Sequence, residues 1–402
     1  EEGQEKKALA DTQIRVFPIT INGYEKPDSR LITVRADSST VVKFYYRKLA
    51  AGTEKTAEEQ ENDDQGLSME LQKKILEALE QGSSTNYTIE EVIYTLHKNE
   101  DGTLTIRLNG STGQEKLVIP DVIKVAGKTL TITEIAEKAF YGQGELKEVV
   151  MGSGITKIGK SAFEDCRKLK KVNIGNNVTV IEESAFKNCA ALERITISEA
   201  VLRIGSHAFE GCKKLKSLVL KEGLLQIGNK AFYKCSALKN VKIPGSVLQI
   251  GKYAFADCKK IGKFSFAQNA SLMRIGDGML QNASSLSKIK LPGRLRSIPD
   301  HTFRNAVKLE NCQIGSSVTK IGNSAFQGCK KLQRLILPGQ VQTIGKRTFY
   351  QCKKLKKVTI RTVQLRKIGK EAFKGCASKI QFAVPKGKQT VYAKLLKGKY
   401  GK

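Results

Sequence analysis

A phenylalanine returns every 23 residues through most of this chain. Phe140, Phe163, Phe186, Phe209, Phe232 and Phe255 are evenly spaced, each preceded by alanine. After a step of 25 the slot holds Leu280. Phe303, Phe326 and Phe349 follow, and Phe373 comes 24 residues later, giving eleven units. A unit this short cannot bury its own apolar face. Equivalent units must therefore stack and bury their apolar residues as ladders along one axis.

The unit around Phe163 shows the internal pattern: Ile158-Gly159, Ala162-Phe163, Cys166, Leu169, Val172 and Ile174. Ile-Gly returns at Ile204, Ile227, Ile250, Ile275, Ile321, Ile344 and Ile368. The Leu-x-x-Val-x-Ile part alternates and is rich in β-branched residues, which predicts a short strand. The Ser-Ala-Phe-x-x-Cys part opens on a potential N-cap at Ser161, Ser184 and Ser324 and predicts a single helical turn. With one strand per unit at ~4.8 Å spacing, the array is expected to be roughly 50 Å long.

The repeat also disposes of a nucleotide-binding motif. Gly154 to Ser161 reads G-x-x-x-x-G-K-S and follows the apolar run 146–151. A phosphate loop must lead into a full helix whose N-terminus meets the phosphates. Here Gly159 is the recurrent repeat glycine, Lys160 its variable neighbour and Ser161 the expected cap, and only one turn fits before the next strand. The match is a by-product of the period.

The pattern I-G-x-x-A-F-x-x-C-x-x-L-x-x-V-x-I, with Pro244, Pro292 and Pro338 closing some strands, resembles the BspA-like leucine-rich repeat family. The likeness spans roughly residues 103–392 and includes the segment 384–396, which looks like the family's closing segment. It implies a curved leucine-rich-repeat solenoid on secreted or cell-surface proteins, mostly bacterial, that mediate adhesion. It implies no enzymatic activity and no cofactor. The chain departs from the pattern where Met279-Leu280 replaces Ala-Phe, Pro299 replaces the glycine, and two residues are added before Ile275. A local irregularity is expected there.

Charge divides the chain. Residues 1–100 hold 13 of the 69 Lys and Arg and 19 of the 39 Asp and Glu, a net of −6, so the remainder of this +30 chain carries +36. A surface of that charge attracts polyanions. Residues 1–100 are expected to form a small α/β cap or accessory domain, and residues 101–402 the solenoid with its closing segment. Strands are expected over 14–21, 31–34 and 40–47, and an acidic loop over 53–66. A helix is expected over 68–81, with Leu67, Leu71, Ile75 and Leu79 on one face. Thr88-x-x-Glu91 predicts a second helix, ending near His97. The start of the chain is charged and shows no signal-peptide core.

Catalytic chemistry is hard to assemble from this sequence. Of the three histidines, His207 and His301 share a repeat slot four units apart, about 19 Å by strand spacing, and His97 lies outside the repeats. No metal or acid–base site is expected. Eight of the nine cysteines (Cys166, Cys189, Cys212, Cys235, Cys258, Cys329, Cys352 and Cys376) stand three after the Phe slot, where two other units carry Ala283 and Ala306. Such a slot is small and apolar, so buried free thiols are expected. Cys312 takes the inward strand position of Val172.

The strand positions between the buried ones face outward. With Val172 and Ile174 inward, basic residues fall outward at Lys171, Arg194, Lys242, Lys263, Lys288, Lys290, Arg334 and Lys357, and these are the candidate ligand-binding residues. Lys213-Lys214, Lys259-Lys260, Lys330-Lys331 and Lys353-Lys354 mark the corner between Cys and Leu. The sequence thus leads to a non-enzymatic, monomeric adhesion or recognition protein whose partner is a host or cell-wall protein or anionic polysaccharide. The alternative is a structural wall-associated protein held by charge without a specific ligand. Nucleic acid is disfavoured, because the outward strand positions offer no aromatic ring for stacking on bases and the chain has no Trp.

Overall fold

The computed structural model describes residues 113–125 and 128–399 throughout. Before them it describes Glu77, which is helical, and the strands Gly3–Glu5, Thr12–Val16, Tyr24–Glu25, Arg30–Val34, Val41–Lys43, Arg47–Lys48, Asn86–Ile89, Val92–Lys98 and Leu104–Ser111. The chain winds as a parallel β-solenoid of about twelve turns. Twelve strands, from Lys116–Ile119 to Gln381–Ala383, line one face, paired in parallel in successive runs of five, four and three. The eleven Phe slots lie between them.

Each unit has two strands rather than the expected one. The second is the two-residue stretch ending at the isoleucine of Ile-Gly, such as Lys157–Ile158 or Arg203–Ile204, and it stacks on its counterpart as a second parallel sheet. Gly228 shows why the next residue is so often glycine. A Cβ there would lie 2.5 Å from the backbone of Gly205 and Ser206 in the coil below.

The expected helical turn is absent. Positions two before and two after each Phe take a left-handed backbone instead, as at Ser161 (φ 53°) and Asp165 (φ 61°). The amides of Ser161, Phe163 and Asp165 donate to the carbonyls of Glu183, Ala185 and Lys187 in the next coil at 2.7–2.8 Å. Those of Ala162, Glu164 and Cys166 close tight turns onto the third residue back. A helix would spend all these amides within its own unit; the turn with alternating handedness frees half of them to join coil to coil. Ser161, Ser184 and Ser324 are therefore not N-caps. Asp, Asn or Gly fills most positions two after the Phe, and these residues tolerate the left-handed region best.

Burial of the Phe slot supplies the core. Rings from Phe140 to Phe255 stack in sequence, 5.0–5.2 Å apart and within 9° of parallel. A second stack runs from Phe303 to Phe373 at 5.1–5.3 Å. The irregular unit lies between them, with Met279 and Leu280 both fully buried and Phe264 closing the first stack edge-on against Phe255.

Cys166, Cys189, Cys212, Cys235, Cys258, Cys329, Cys352 and Cys376 form a further ladder. All nine cysteines are free, and all but half-buried Cys376 are buried. Each thiol of the ladder donates to the Phe carbonyl of the preceding unit, as Cys189 Sγ does to Phe163 O at 3.1 Å. The slot is thus a donor position as well as a small apolar one. Burial pushes the Cys166 thiol from its ordinary 9.0 to about 12 and raises Cys189, Cys212, Cys235, Cys312 and Cys352 as well. A hydrogen bond with Cys352, and then burial, raise Cys376.

A thiol whose proton is held more tightly in the folded state stabilises the fold fully below its unfolded pKa. That contribution is lost as pH rises through about 9 toward 12. Denaturant midpoints should therefore fall steadily above pH ~9, and a Cys166→Ala, Cys212→Ala variant should show a shallower fall. An identical alkaline slope in both proteins would contradict the buried-thiol account.

Both ends of the described solenoid are covered. Leu104–Ser111 pairs parallel to Lys128–Ile135, and Val92–Lys98 and Asn86–Ile89 continue that sheet as antiparallel strands. The helix expected from Thr88 to His97 is therefore replaced by strands. The run Val92-Ile93-Tyr94-Thr95 is β-branched and aromatic, and it buries Tyr94 in the sheet rather than capping a helix. Strands do occur within 14–21, 31–34 and 40–47. Of the segment 68–81 only Glu77 is described, so the expected apolar face at Leu67, Leu71, Ile75 and Leu79, like the acidic loop 53–66, lies outside the described residues.

At the other end, Phe382 packs edge-on against Phe373. The helix Gln389–Leu396 buries Tyr392 and Leu396 over the last coil. The Phe373 amide, which has no next coil, donates to Lys399 O at 2.9 Å.

Candidate functional site

All eight predicted basic residues lie on the twelve-strand face, and all eight are exposed. Their placement follows from strand alternation. In Arg194–Ile197, Ile195 and Ile197 are buried while Arg194 and Thr196 point out. Parallel register makes equivalent residues neighbours. Lys171 stands beside Arg194, Lys263 beside Lys288, and Arg334 beside Lys357. Lys242 and Lys290 occupy the second outward position of their strands, opposite Ser265 and Gln313 respectively. Glu148 is the acidic neighbour of Lys171. Val219 and Ile336, also outward, are 45% and 46% exposed.

Ion pairing is unevenly distributed. Carboxylates of one coil neutralise cations of the next at Lys168–Glu145, Lys187–Glu164, Lys216–Glu193 and Arg203–Glu182. Among the described residues, no ion pair involves any of the eight strand-face cations. Of the corner lysines, Lys331 pairs with Glu310 at 3.9 Å. Like charges directly opposite in a sheet are destabilising, so three in-register cation pairs cost stability that the fold does not require.

The apparent phosphate loop is built otherwise. The Ser161 and Phe163 amides are spent on the next coil, and Lys160 lies 3.8 Å from Glu183. No helix follows. His207 Nδ1 meets the Glu210 carboxylate. No group of three or more metal-ligating side chains occurs among the described residues.

Two concave features were not legible in the sequence. One, of about 640 Å³, lies over the last Ile-Gly strands and is rimmed by Lys320, Lys346, Lys367, Lys370 and Lys399. The other, of about 270 Å³, opens between the strands Lys171–Asn173 and Arg194–Ile197, where only Lys171 and Arg194 pair.

With this geometry in place, comparison with known proteins fixes the class. The BspA type leucine rich repeat region matches residues 133–262 and 273–399 in six copies. The chain belongs to this family. Leucine-rich repeat proteins are generally interaction or adhesion modules, recognition scaffolds rather than catalysts. Several solved structures are similar. A leucine-rich repeat protein from Bacteroides ovatus shares 25% identity over 75% of this chain and 100% of its own, with a TM-score of 0.38. The pneumococcal vaccine antigen PcpA shares 20% over 79% and 97%, with a TM-score of 0.47. A leucine rich cell surface protein from Faecalibacterium prausnitzii shares 22% over 78% and 98%, with a TM-score of 0.43. No curated protein matches the chain.

Proposed function

We propose that this is a non-enzymatic recognition or adhesion protein of the cell surface or secreted milieu. It binds a polyanionic macromolecule, an anionic polysaccharide or an acidic protein surface, through Lys171, Arg194, Lys242, Lys263, Lys288, Lys290, Arg334 and Lys357. The observation that carries this reading is the in-register pairing of like charges on a face where, among the described residues, none of the eight cations forms an ion pair. A row of unpaired cations raises a field reaching about a Debye length, ~8–10 Å at physiological salt. Such a field suits a long polyanion better than a small solute. The corner lysines flank the strand face and add to the field.

Residues 1–100 serve, in this reading, as a cap or accessory domain to the repeats of 101–402. The strands Asn86–Ile89 and Val92–Lys98 join it to the solenoid's second sheet, which shields the first coil from edge-to-edge association. No helix among the described residues is long and apolar enough to cross a membrane.

The reading predicts saturable binding to heparin-like or anionic wall polymers that weakens at least tenfold between ~50 and ~300 mM salt, measured by titration at several ionic strengths. Binding indifferent to salt would contradict it and would point to an apolar contact around Val219 or Ile336.

A further inference from the structure

Seven of the eleven neighbouring strand pairs of the exposed face pair over three or four residues, two over a single residue, and two without ladder pairing. Between Lys171–Asn173 and Arg194–Ile197 the pairing stops after Lys171 and Arg194, whereas the strands on either side pair over three and four positions. The opening has a visible effect on packing. Val172 is half-buried, while Val149 and Ile195, its counterparts in the adjacent coils, are 0% and 2% exposed. At the other end of the opening lies Ser198. It is 7% exposed, and its Oγ is buried with no hydrogen-bond partner. Most equivalent strand ends carry Gly or Pro, such as Gly175, Pro244 and Pro292, which have no side-chain hydroxyl to satisfy.

Chemically distinct groups converge on the groove of about 270 Å³ so formed. Val172 gives it an apolar floor. Exposed Arg194, Lys221, Asn173 and Thr196 line it, together with buried Ser198. No carboxylate lines it. Among the described residues neither Arg194 nor Lys221 takes part in an ion pair. A guanidinium presents a planar fork of donors matched to an oxyanion. The amide and hydroxyl groups suit a ligand with several hydroxyls of its own, and the apolar floor suits the C–H face of a ring. The volume accommodates one ring rather than a chain.

We propose that this groove binds a single acidic sugar unit, carrying a carboxylate or a sulfate ester, with its oxyanion on Arg194 and Lys221 and a ring hydroxyl on Ser198. The proposal rests on the reading of the strand face as a polyanion-binding surface and names the unit that one coil boundary selects. An acidic peptide side chain would engage the two cations and leave Ser198, Asn173 and Thr196 without partners.

The test is a titration of the full chain, followed by NMR or calorimetry, with methyl glucuronide, glucose 6-sulfate, methyl glucoside and N-acetylglutamate. The proposal expects saturable binding of the glucuronide or the sulfate, and which of them binds identifies the oxyanion. Arg194→Gln should weaken it at least tenfold and Ser198→Ala about threefold, with thermal melts confirming that both variants fold. Lys386→Gln with Lys394→Gln, exposed cations of the closing segment, should leave it unchanged. Binding of neither acidic sugar overturns the proposal, as does equal or tighter binding of N-acetylglutamate or an equal loss in the Lys386, Lys394 variant. Heparin-like polymer binding, measured on the same samples, separates the two readings. If the polymer binds and the sugars do not, the groove falls and the face stands; if the sugars bind and the polymer does not, the reverse holds.

Discussion

Replacing Phe232 with alanine is expected to cost about 3–5 kcal/mol, the usual range for deleting a buried aromatic side chain. Phe232 is fully buried and stacks on both Phe209 and Phe255, at 5.2 and 5.1 Å. The loss reaches beyond one site because each coil contacts only its neighbours. An interrupted ring stack removes part of both interfaces that hold the unit. Chemical denaturation should therefore show a lower midpoint and also a broader or biphasic transition as the two flanking segments lose their coupling. A melt within a degree of wild type would mean that Phe232 does not bridge the coils.

The second large effect concerns the closing segment. Tyr392 is 1% exposed, donates its hydroxyl hydrogen to Thr362 O at 2.9 Å and accepts from the Leu365 amide at 3.2 Å. It fills the end of the core and also satisfies two backbone groups that no further coil can reach. Tyr392→Ala should cost about 3–5 kcal/mol through the cavity and the lost partners. Tyr392→Phe keeps the ring and strands only the two polar groups, which should cost about 1–3 kcal/mol. Hydrogen exchange should locate the damage: the Phe373 amide, bonded to Lys399 O, should lose protection well before amides near Phe186. Uniform loss along the chain would mean that the solenoid unfolds as one unit and that the segment is not a local cap.

How much of this was legible in the sequence follows from what the period encodes. Spacing alone located the Phe ladder, the Cys slot and the outward basic positions, because burial in a stack repeats with the unit. It misassigned the Phe-containing segment as a helical turn. Serine before Ala-Phe is an N-cap signal in isolation, but the stacking coils compete for the same amides and win. A counter-signal was present in Asp165, Asn188, Gly211, Asp257 and Asn282, a row of residues suited to left-handed backbone. The second strand was hidden because two residues are too short to show alternation. Thr88-x-x-Glu91 misled for a related reason: local capping chemistry lost to a β-branched run that pairs in the sheet. The groove at Ser198 had no sequence signal, since it depends on where a parallel ladder stops pairing.

The central claim is that binding resides in the outward strand positions and not in positive charge at large. It is tested most directly by comparing two variants of equal charge. One carries Lys242→Gln, Lys263→Gln, Lys288→Gln and Lys290→Gln on the strand face. The other carries Lys213→Gln, Lys214→Gln, Lys259→Gln and Lys260→Gln in the corners, where the lysines are exposed too. Both should melt near wild type, because exposed charges contribute little to stability. Affinity for a heparin-like or anionic wall polymer should fall at least tenfold in the strand-face variant and about threefold or less in the corner variant. An equal or larger loss in the corner variant would contradict the assignment of the face.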